Sequence, residues 1–190
     1  MTALWARRGM RALLTTLLLS CAPHTPPEFK GYVEVVREVD PDLMSQAVKP
    51  EGQGGVSKGW VVVVTEDVPV YRMWNGPGDD AGNRMGQWWA AEAPSGSEVA
   101  YRREYAICHE WNDLTWVARC TLTAGAKIVV GQTQSVSEDL CSLDGGESYA
   151  RSKGWQVFIP RAWENPHLVC PDASSDYRAD PRELSERMTP

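Results

Sequence analysis

The sequence predicts an α+β domain that is rich in strands, has few helices and is stapled by disulfides. Several short segments are rich in β-branched residues or alternate between apolar and polar residues, which is typical of strands. The segment that begins at Ser95 carries a helix-start signal. Four cysteines lie between residues 108 and 170 and can form disulfides. The predicted strands are 59–66 (GWVVVVTE), 69–74 (PVYRMW), 87–90 (QWWA), 115–123 (TWVARCTLT), 126–132 (AKIVVGQ) and 154–160 (GWQVFIP).

Residues 1–20 have the pattern of a secretory signal peptide. Three arginines within the first eleven residues precede an apolar run over 12–19, which is too short to cross a bilayer as a helix. The sequence Leu18-Leu19-Ser20-Cys21 resembles the lipobox of bacterial lipoproteins, in which the signal is cut before a cysteine that then receives lipid. We therefore expect export and anchoring in the lipid bilayer of the outer membrane through acylated Cys21. The alternative is ordinary signal cleavage that leaves Cys21 as a plain thiol.

The rest of the chain divides by composition into three parts. Residues 21–58 begin CAPHTPPEF and end KPEGQGGVSK, which predicts a lipidated tether with one short helix over Tyr32–Val39. The strand-rich domain covers 59–170, and 171–190 form a polar tail that we expect to be frayed.

The helix of the domain is predicted from capping chemistry. Ser95 and Glu98 have capping-box spacing and Pro94 lies just outside, so a helix of two to three turns should begin near Ser97. A long loop then separates the strands 126–132 and 154–160 and contains Cys141. Loops of this length in a compact domain are often functional.

The charge of the chain argues against nucleic acid as a partner. The whole sequence has a net charge of −6, and the predicted signal peptide contains three arginines and no acidic residue. Its removal leaves 16 basic against 25 acidic residues and a net charge of −9. Binding to nucleic acid requires clustered cations that neutralise phosphate, and this chain lacks that excess.

The cysteines that remain beyond Cys21 predict two disulfides, although the sequence does not choose among the three pairings. There is no Cys-x-x-Cys motif and the three histidines are scattered, so we expect no metal site. The sequence around His109 (HEWND) lacks the second histidine of zinc proteases, and His109 is interpreted as a surface or capping residue. The four cysteines are Cys108, Cys120, Cys141 and Cys170.

The order of several short segments resembles one toxin family. VYRMWNG is followed by GQWWA, a helix, EWNDLTWVARCTLTAGAKIVVGQ, a loop and GWQVFIP. This order is similar to that of bacterial polymorphic toxin domains with the ADP-ribosyltransferase fold, including NAD-hydrolysing members of the tuberculosis necrotizing toxin type. The resemblance covers about 100 residues, from Val68 to about Pro166, and implies a split β-sheet with NAD as the substrate rather than a bound cofactor.

The resemblance implies roles for particular residues. Arg72 takes the position of the arginine that grips NAD, and a guanidinium can bind a diphosphate bidentately. Trp88, Trp89 and Ala90 stand where many transferases have Ser-Thr-Ser, so an indole would stack on nicotinamide. Gln156 stands where transferases have a catalytic glutamate. The alternative for Arg72 is a solvated charge at a strand edge.

The departures from the transferase pattern favour hydrolysis. Cleavage of the nicotinamide–ribose bond builds positive charge on the sugar, which a carboxylate usually stabilises. Gln156 can supply a hydrogen bond but neither negative charge nor a general base, so attack by water is expected rather than transfer to a protein side chain. Glu147, in the preceding loop, is the candidate for the missing charge.

Two functions from different classes follow. The first is an exported lipoprotein toxin that hydrolyses NAD, resembles the swarm-inhibition toxins exchanged between outer membranes of neighbouring cells, and is paired with an immunity protein. The second is a non-catalytic envelope lipoprotein that binds a protein or glycan through exposed aromatic residues. NAD binding and nicotinamide release distinguish the two.

Overall fold

The computed structural model describes residues 25–78, 81–141 and 147–180. The predicted signal peptide, Cys21 and the last ten residues lie outside this part of the chain. None of the helices within the described ranges is long and apolar enough to span a bilayer.

The described residues form nine strands, two α-helices and several short 3-10 helices, which confirms the predicted strand-rich α+β fold. The helices are α1 (Pro41–Ala47) and α2 (Glu98–Tyr105). The strands are β1 (Val33–Val35), β2 (Val56–Val64), β3 (Val68–Trp74), β4 (Trp88–Ala90), β5 (Trp116–Leu122), β6 (Lys127–Thr133), β7 (Trp155–Phe158), β8 (Leu168–Val169) and β9 (Tyr177–Arg178).

The valine run of β2 forms a strand because both of its faces are covered. Val62 and Val64 enter the main core with Ile128 and Val130 of β6. Val61 points to the other face and packs under α1, in a second cluster. Continuous β-branched runs are typical of strands that are buried on both faces.

The strands form one antiparallel sheet in the order β1-β2-β6-β7-β4-β3-β5-β8, with β9 beside β5. The sheet narrows in the middle, because β3 and β4 share the single registered pair Tyr71↔Ala90. By contrast, β3 and β5 pair over seven positions. The sheet therefore consists of two halves that are joined at one narrow place.

Two local expectations for the segment before β2 are changed by the structure. The predicted helix over Tyr32–Val39 is wrong, because this segment contains strand β1, which pairs with β2. The helix lies further on, where Asp40 accepts a hydrogen bond from the Leu43 amide at 3.0 Å and Pro41 occupies the first turn. Within the stretch assigned to the tether, Phe29 is fully buried in the main core.

The segment after Cys170 is ordered where it is described, so the expectation that it is frayed is wrong for residues 173–178. Strand β9 pairs with β5. The buried carboxylate of Asp176 accepts hydrogen bonds from Nε and Nη2 of Arg84 at 2.6 and 2.8 Å. A bidentate pair of this kind fixes orientation as well as position.

Two disulfides are present, as predicted, and the structure decides their pairing. Cys120 on β5 is joined to Cys170 beyond β8. Cys108 is joined to Cys141, and both of these residues are fully buried. The first bond ties the end of the domain to the sheet, and the second ties the segment after α2 to the loop after β6.

Replacement of Phe29 by alanine should show that residues before 59 belong to the folded unit. We expect Phe29→Ala in a protein comprising residues 22–190 to lower the free energy of unfolding by about 3–5 kcal/mol, because it leaves a cavity in the main core. Tyr32→Ala is the matched control, since Tyr32 is 39% exposed and a surface change is expected to stay within about 0.5 kcal/mol. Guanidinium unfolding measures both, and equal effects would contradict the assignment.

Candidate functional site

A pocket of about 160 Å³ opens where β3 and β4 separate beyond the pair Tyr71↔Ala90. Strands β3, β4 and β7 supply its floor, and α2 with the segment after it supplies one wall. Its lining includes Arg72, Trp88, Trp89, Tyr101, Tyr105, Trp111, Asn112 and Gln156.

Arg72 lines this opening and connects β3 with β4. Its Nε donates to the carbonyl of Asn83 at 2.9 Å, and its Nη1 donates to the carbonyl of Trp88 at 2.5 Å. Its Nη2 donates to Oδ1 of Asn83 at 3.2 Å. A side chain therefore makes the connection between β3 and β4 at a place where the backbone ladder has ended.

The charge of Arg72 is not neutralised by any carboxylate among the described residues. Its three partners are neutral oxygens, and the described lining of the pocket contains no Asp or Glu. Burial lowers the pKa of the guanidinium to about 10, because a surrounding of low dielectric disfavours the charged form. A guanidinium has five N–H groups, so one remains on Nη1 and one on Nη2 for a ligand.

Gln156 on β7 lines the same pocket and is held in one orientation. Its Nε2 donates to the carbonyl of Tyr105 at 3.0 Å and to Oγ1 of Thr133 at 3.2 Å. The Tyr105 carbonyl can only accept, so the amide nitrogen must face it. This leaves Oε1 as the group of Gln156 that can accept a hydrogen bond from a ligand.

The two adjacent tryptophans of β4 have different environments. Trp89 is 3% exposed and belongs to the main core, and its Nε1 donates to the Gly86 carbonyl at 2.7 Å. Trp88 is half-buried, and its ring lies 4.9 Å from that of Phe158. Trp88 is therefore the indole of the pair with surface available to a ligand.

Tyr101 and Tyr105 form the wall that α2 contributes. Their ring centroids are 4.5 Å apart, as expected for positions four residues apart on a helix. Burial raises the pKa of both hydroxyls, so they stay neutral at ordinary pH. Helix α2 begins at Glu98, near the predicted start, but its N-cap is Ser97, which accepts from the Ala100 amide at 3.2 Å, and not Ser95 of the predicted capping box. The C-cap Ala106 has a left-handed conformation.

Sequence reasoning missed three residues that complete the site. Trp111 lines the pocket and is 41% exposed. Asn112 is buried, and its Nδ2 donates to the Met73 carbonyl at 2.7 Å. Asn83 holds Arg72 from outside the pocket lining. Trp111 and Asn112 lie in the HEWND sequence, whose aromatic and amide side chains are the signal that could have identified them.

Glu147 is not brought into this pocket. Its Oε2 accepts a hydrogen bond from the hydroxyl of Tyr149 at 2.6 Å and lies 3.3 Å from Nδ1 of His109. These three residues line a neighbouring pocket together with Arg102 and Arg103. The structure thus brings together Arg72, Trp88, Trp89 and Gln156 and leaves Glu147 on the other side of the wall.

The central pocket combines a cation, flat aromatic surfaces and one fixed hydrogen-bond acceptor. Such a set can bind a planar ring that is joined to an anionic group. The described lining offers neither a carboxylate nor a histidine, so a general base from these residues is not available. What the described lining can contribute is binding and orientation of a ligand.

Comparison with known proteins identifies no family. No family model and no curated protein matches the chain. Among solved structures, the chain is similar to the structure of Tne2 in complex with Tni2, with 16% sequence identity and a TM-score of 0.45. The match covers 64% of this chain and 92% of that chain. The function is therefore inferred from the chemistry of the pocket.

The disulfide Cys108–Cys141 should hold the pocket wall in place. Cys108 comes directly after Ile107 and shortly before Trp111, both of which line the pocket. We expect a Cys108→Ser, Cys141→Ser double variant to lose about 2–5 kcal/mol of stability and to exchange the amide hydrogens of residues 106–112 faster.

The matched control is the Cys120→Ser, Cys170→Ser variant, which removes a disulfide of comparable loop length away from the pocket. It should lose similar stability without selective exchange in residues 106–112. Hydrogen exchange read by mass spectrometry compares the two under conditions where both remain folded. Equal exchange of the wall in both variants would contradict its dependence on Cys108–Cys141.

Proposed function

We propose that this protein hydrolyses the nicotinamide–ribose bond of NAD. The observation that carries the proposal is that Arg72, Trp88 and Gln156, from three strands, line one pocket. Arg72 would bind the diphosphate, and the half-buried indole of Trp88 would stack on nicotinamide. Gln156 would accept a hydrogen bond from a ribose hydroxyl through Oε1.

The reaction that fits this set is a substitution by water at the ribose carbon. The bond between that carbon and the nicotinamide nitrogen breaks, and neutral nicotinamide leaves with the bonding electrons. Water forms the new carbon–oxygen bond and releases a proton to solvent, which gives ADP-ribose. Positive charge develops on the sugar before water attacks, and the aromatic faces of the pocket can stabilise it by cation–π attraction.

Hydrolysis is favoured over transfer to a protein because a poor nucleophile needs a base. The described residues of the lining supply none, whereas water attacks a sugar cation without prior deprotonation. Glu147 lies in the neighbouring pocket with Tyr149 and His109 and is not assigned a step.

The biological setting is part of the proposal. Export with acylation of Cys21 would place the protein in the bilayer of the bacterial outer membrane. Hydrolysis of NAD would then make it a toxin once it is handed to a neighbouring cell, where cytoplasmic NAD is present. A producing cell would need an immunity protein that binds the toxin.

Nicotinamide release by the purified protein tests the proposal. Residues 22–190 should bind NAD and release nicotinamide, and Arg72→Ala should lower kcat/KM by at least about a hundredfold through loss of a charge-assisted contact. Arg72→Lys should restore little, because an ammonium cannot bind a diphosphate bidentately. Liquid chromatography measures nicotinamide, and circular dichroism checks that each variant is folded.

Gln156→Ala provides a second arm of the same test. It should lower kcat more than it raises KM, if the hydrogen bond to ribose strengthens as charge develops. Unchanged turnover would remove Gln156 from the mechanism. Absence of NAD binding at millimolar concentration would favour the second function, a non-catalytic envelope lipoprotein, for which the 57% exposed Trp163 offers an aromatic contact surface.

The pH dependence of ligand binding should follow Arg72. Its pKa of about 10 keeps it cationic at neutral pH, and it loses its charge as the pH rises through that value. We expect the affinity for ADP-ribose to be flat between pH 6 and 9 and to fall above about pH 10, approaching tenfold per further pH unit. Isothermal titration calorimetry measures it, and a transition near pH 6 would instead implicate a histidine.

A further inference from the structure

We propose that Asn83 is a specificity-determining residue, which holds Arg72 in place without neutralising it and thereby selects ligands that carry phosphate or diphosphate. The inference rests on the proposed function only for the identity of the ligand as NAD. The selection for an anionic group follows from contacts around the guanidinium.

Asn83 is the main partner of Arg72. Its carbonyl accepts from Nε at 2.9 Å, and its side-chain Oδ1 accepts from Nη2 at 3.2 Å. Both acceptors are uncharged. Asn83 therefore takes two of the three hydrogen bonds that orient the guanidinium and leaves its positive charge without a neutralising partner among the described residues.

The chemical identity of the side chain at this position decides the charge of the pocket. Aspartate has nearly the same shape as asparagine, and its carboxylate could accept from the same nitrogen. It would form an ion pair with Arg72 in a partly buried site, where attraction between opposite charges is strong. A phosphate ligand would then bind next to a neutral ion pair instead of next to the unpaired cation of Arg72.

The surroundings of Asn83 keep its amide in the required orientation. Its Nδ2 donates to the carbonyl of Trp111 at 3.4 Å, so Oδ1 must face Arg72. Asn112 adds a long contact from its Nδ2 to Oδ1 of Asn83 at 3.5 Å. The 3-10 helix Ala81–Met85 that carries Asn83 is itself tied down by the adjacent Arg84, which pairs with Asp176.

The backbone next to this helix packs closely against the guanidinium. A Cβ added at Gly86 would overlap Nη2 and Cζ of Arg72. Asn83 and the Trp88 carbonyl hold the guanidinium through three hydrogen bonds. Its two remaining N–H groups can bind two oxygens of one phosphate or diphosphate, and the aromatic lining accepts the ring attached to it.

Two substitutions at Asn83 test the proposal, which predicts that aspartate weakens anion binding more than alanine does. In residues 22–190, Asn83→Asp should weaken binding of ADP-ribose and of inorganic pyrophosphate by at least tenfold. Asn83→Ala should weaken it less, because the carbonyl contact and the cation both remain. If Asn83 were merely structural, alanine would be the more harmful change, so an alanine variant weaker than the aspartate variant would overturn the proposal.

Glycine variants supply an independent arm. Gly86→Ala should displace Arg72 and weaken binding of both probes, whereas Gly78→Ala, where an added Cβ meets nothing within 4 Å, should leave binding unchanged. Calorimetry measures affinity, and thermal unfolding confirms that each variant is folded. Wild-type affinity of Gly86→Ala and Asn83→Asp for both probes would also overturn the proposal.

These experiments distinguish failure of the role of Asn83 from failure of the proposed NAD hydrolysis. If ADP-ribose and pyrophosphate bind and respond to Asn83→Asp while NAD releases no nicotinamide, the selection for phosphate stands and the proposed hydrolysis is wrong. If nicotinamide is released at equal rates by wild type and Asn83→Asp, hydrolysis stands and the role of Asn83 is wrong.

Discussion

The structure depends on the hydrogen bonds of Arg72 at the place where strands β3 and β4 separate. Beyond the pair Tyr71↔Ala90 the strands β3 and β4 no longer share backbone hydrogen bonds, and open carbonyls would be costly if they were buried without partners. The Arg72 guanidinium satisfies the Trp88 carbonyl across that gap. The same side chain thus connects the two strands where they separate and places a positive charge in the lining of the pocket between them.

Because the sheet cannot hold the pocket walls, covalent and ionic links hold them. The disulfide Cys108–Cys141 fixes the segment that carries Trp111 and Asn112. The Arg84–Asp176 ion pair fixes the helix that carries Asn83. Each link joins residues distant in sequence, and each acts on a segment too short to be stable by its own hydrogen bonds. Burial of the Arg72 cation costs stability. The Arg84–Asp176 pair contributes to holding Asn83, the residue that binds this cation.

Local patterns predicted much of the fold and part of the site. The valine run and the alternation in β5 were sufficient, and the capping signal predicted the start of α2 although Ser97 rather than Ser95 is its cap, because each of these signals can be read within a few residues. The helix over Tyr32–Val39 was wrong for the opposite reason: Val33 and Val35 pair with β2, and this distant partner outweighs a weak helical preference. The roles of Arg72, Trp88 and Gln156 remain predictions, although the structure places all three residues in one pocket.

The sequence by itself determined the class of the fold, the presence of two disulfides and the chemical types that could act on a ligand. The tertiary structure decided the pairing of the cysteines, the position of Glu147 outside the pocket and the contribution of Asn83, Trp111 and Asn112. The physical reason is that strand and helix signals are local, whereas a pocket is assembled from strand register and short loops. Their geometry follows from contacts between residues that are far apart in the chain.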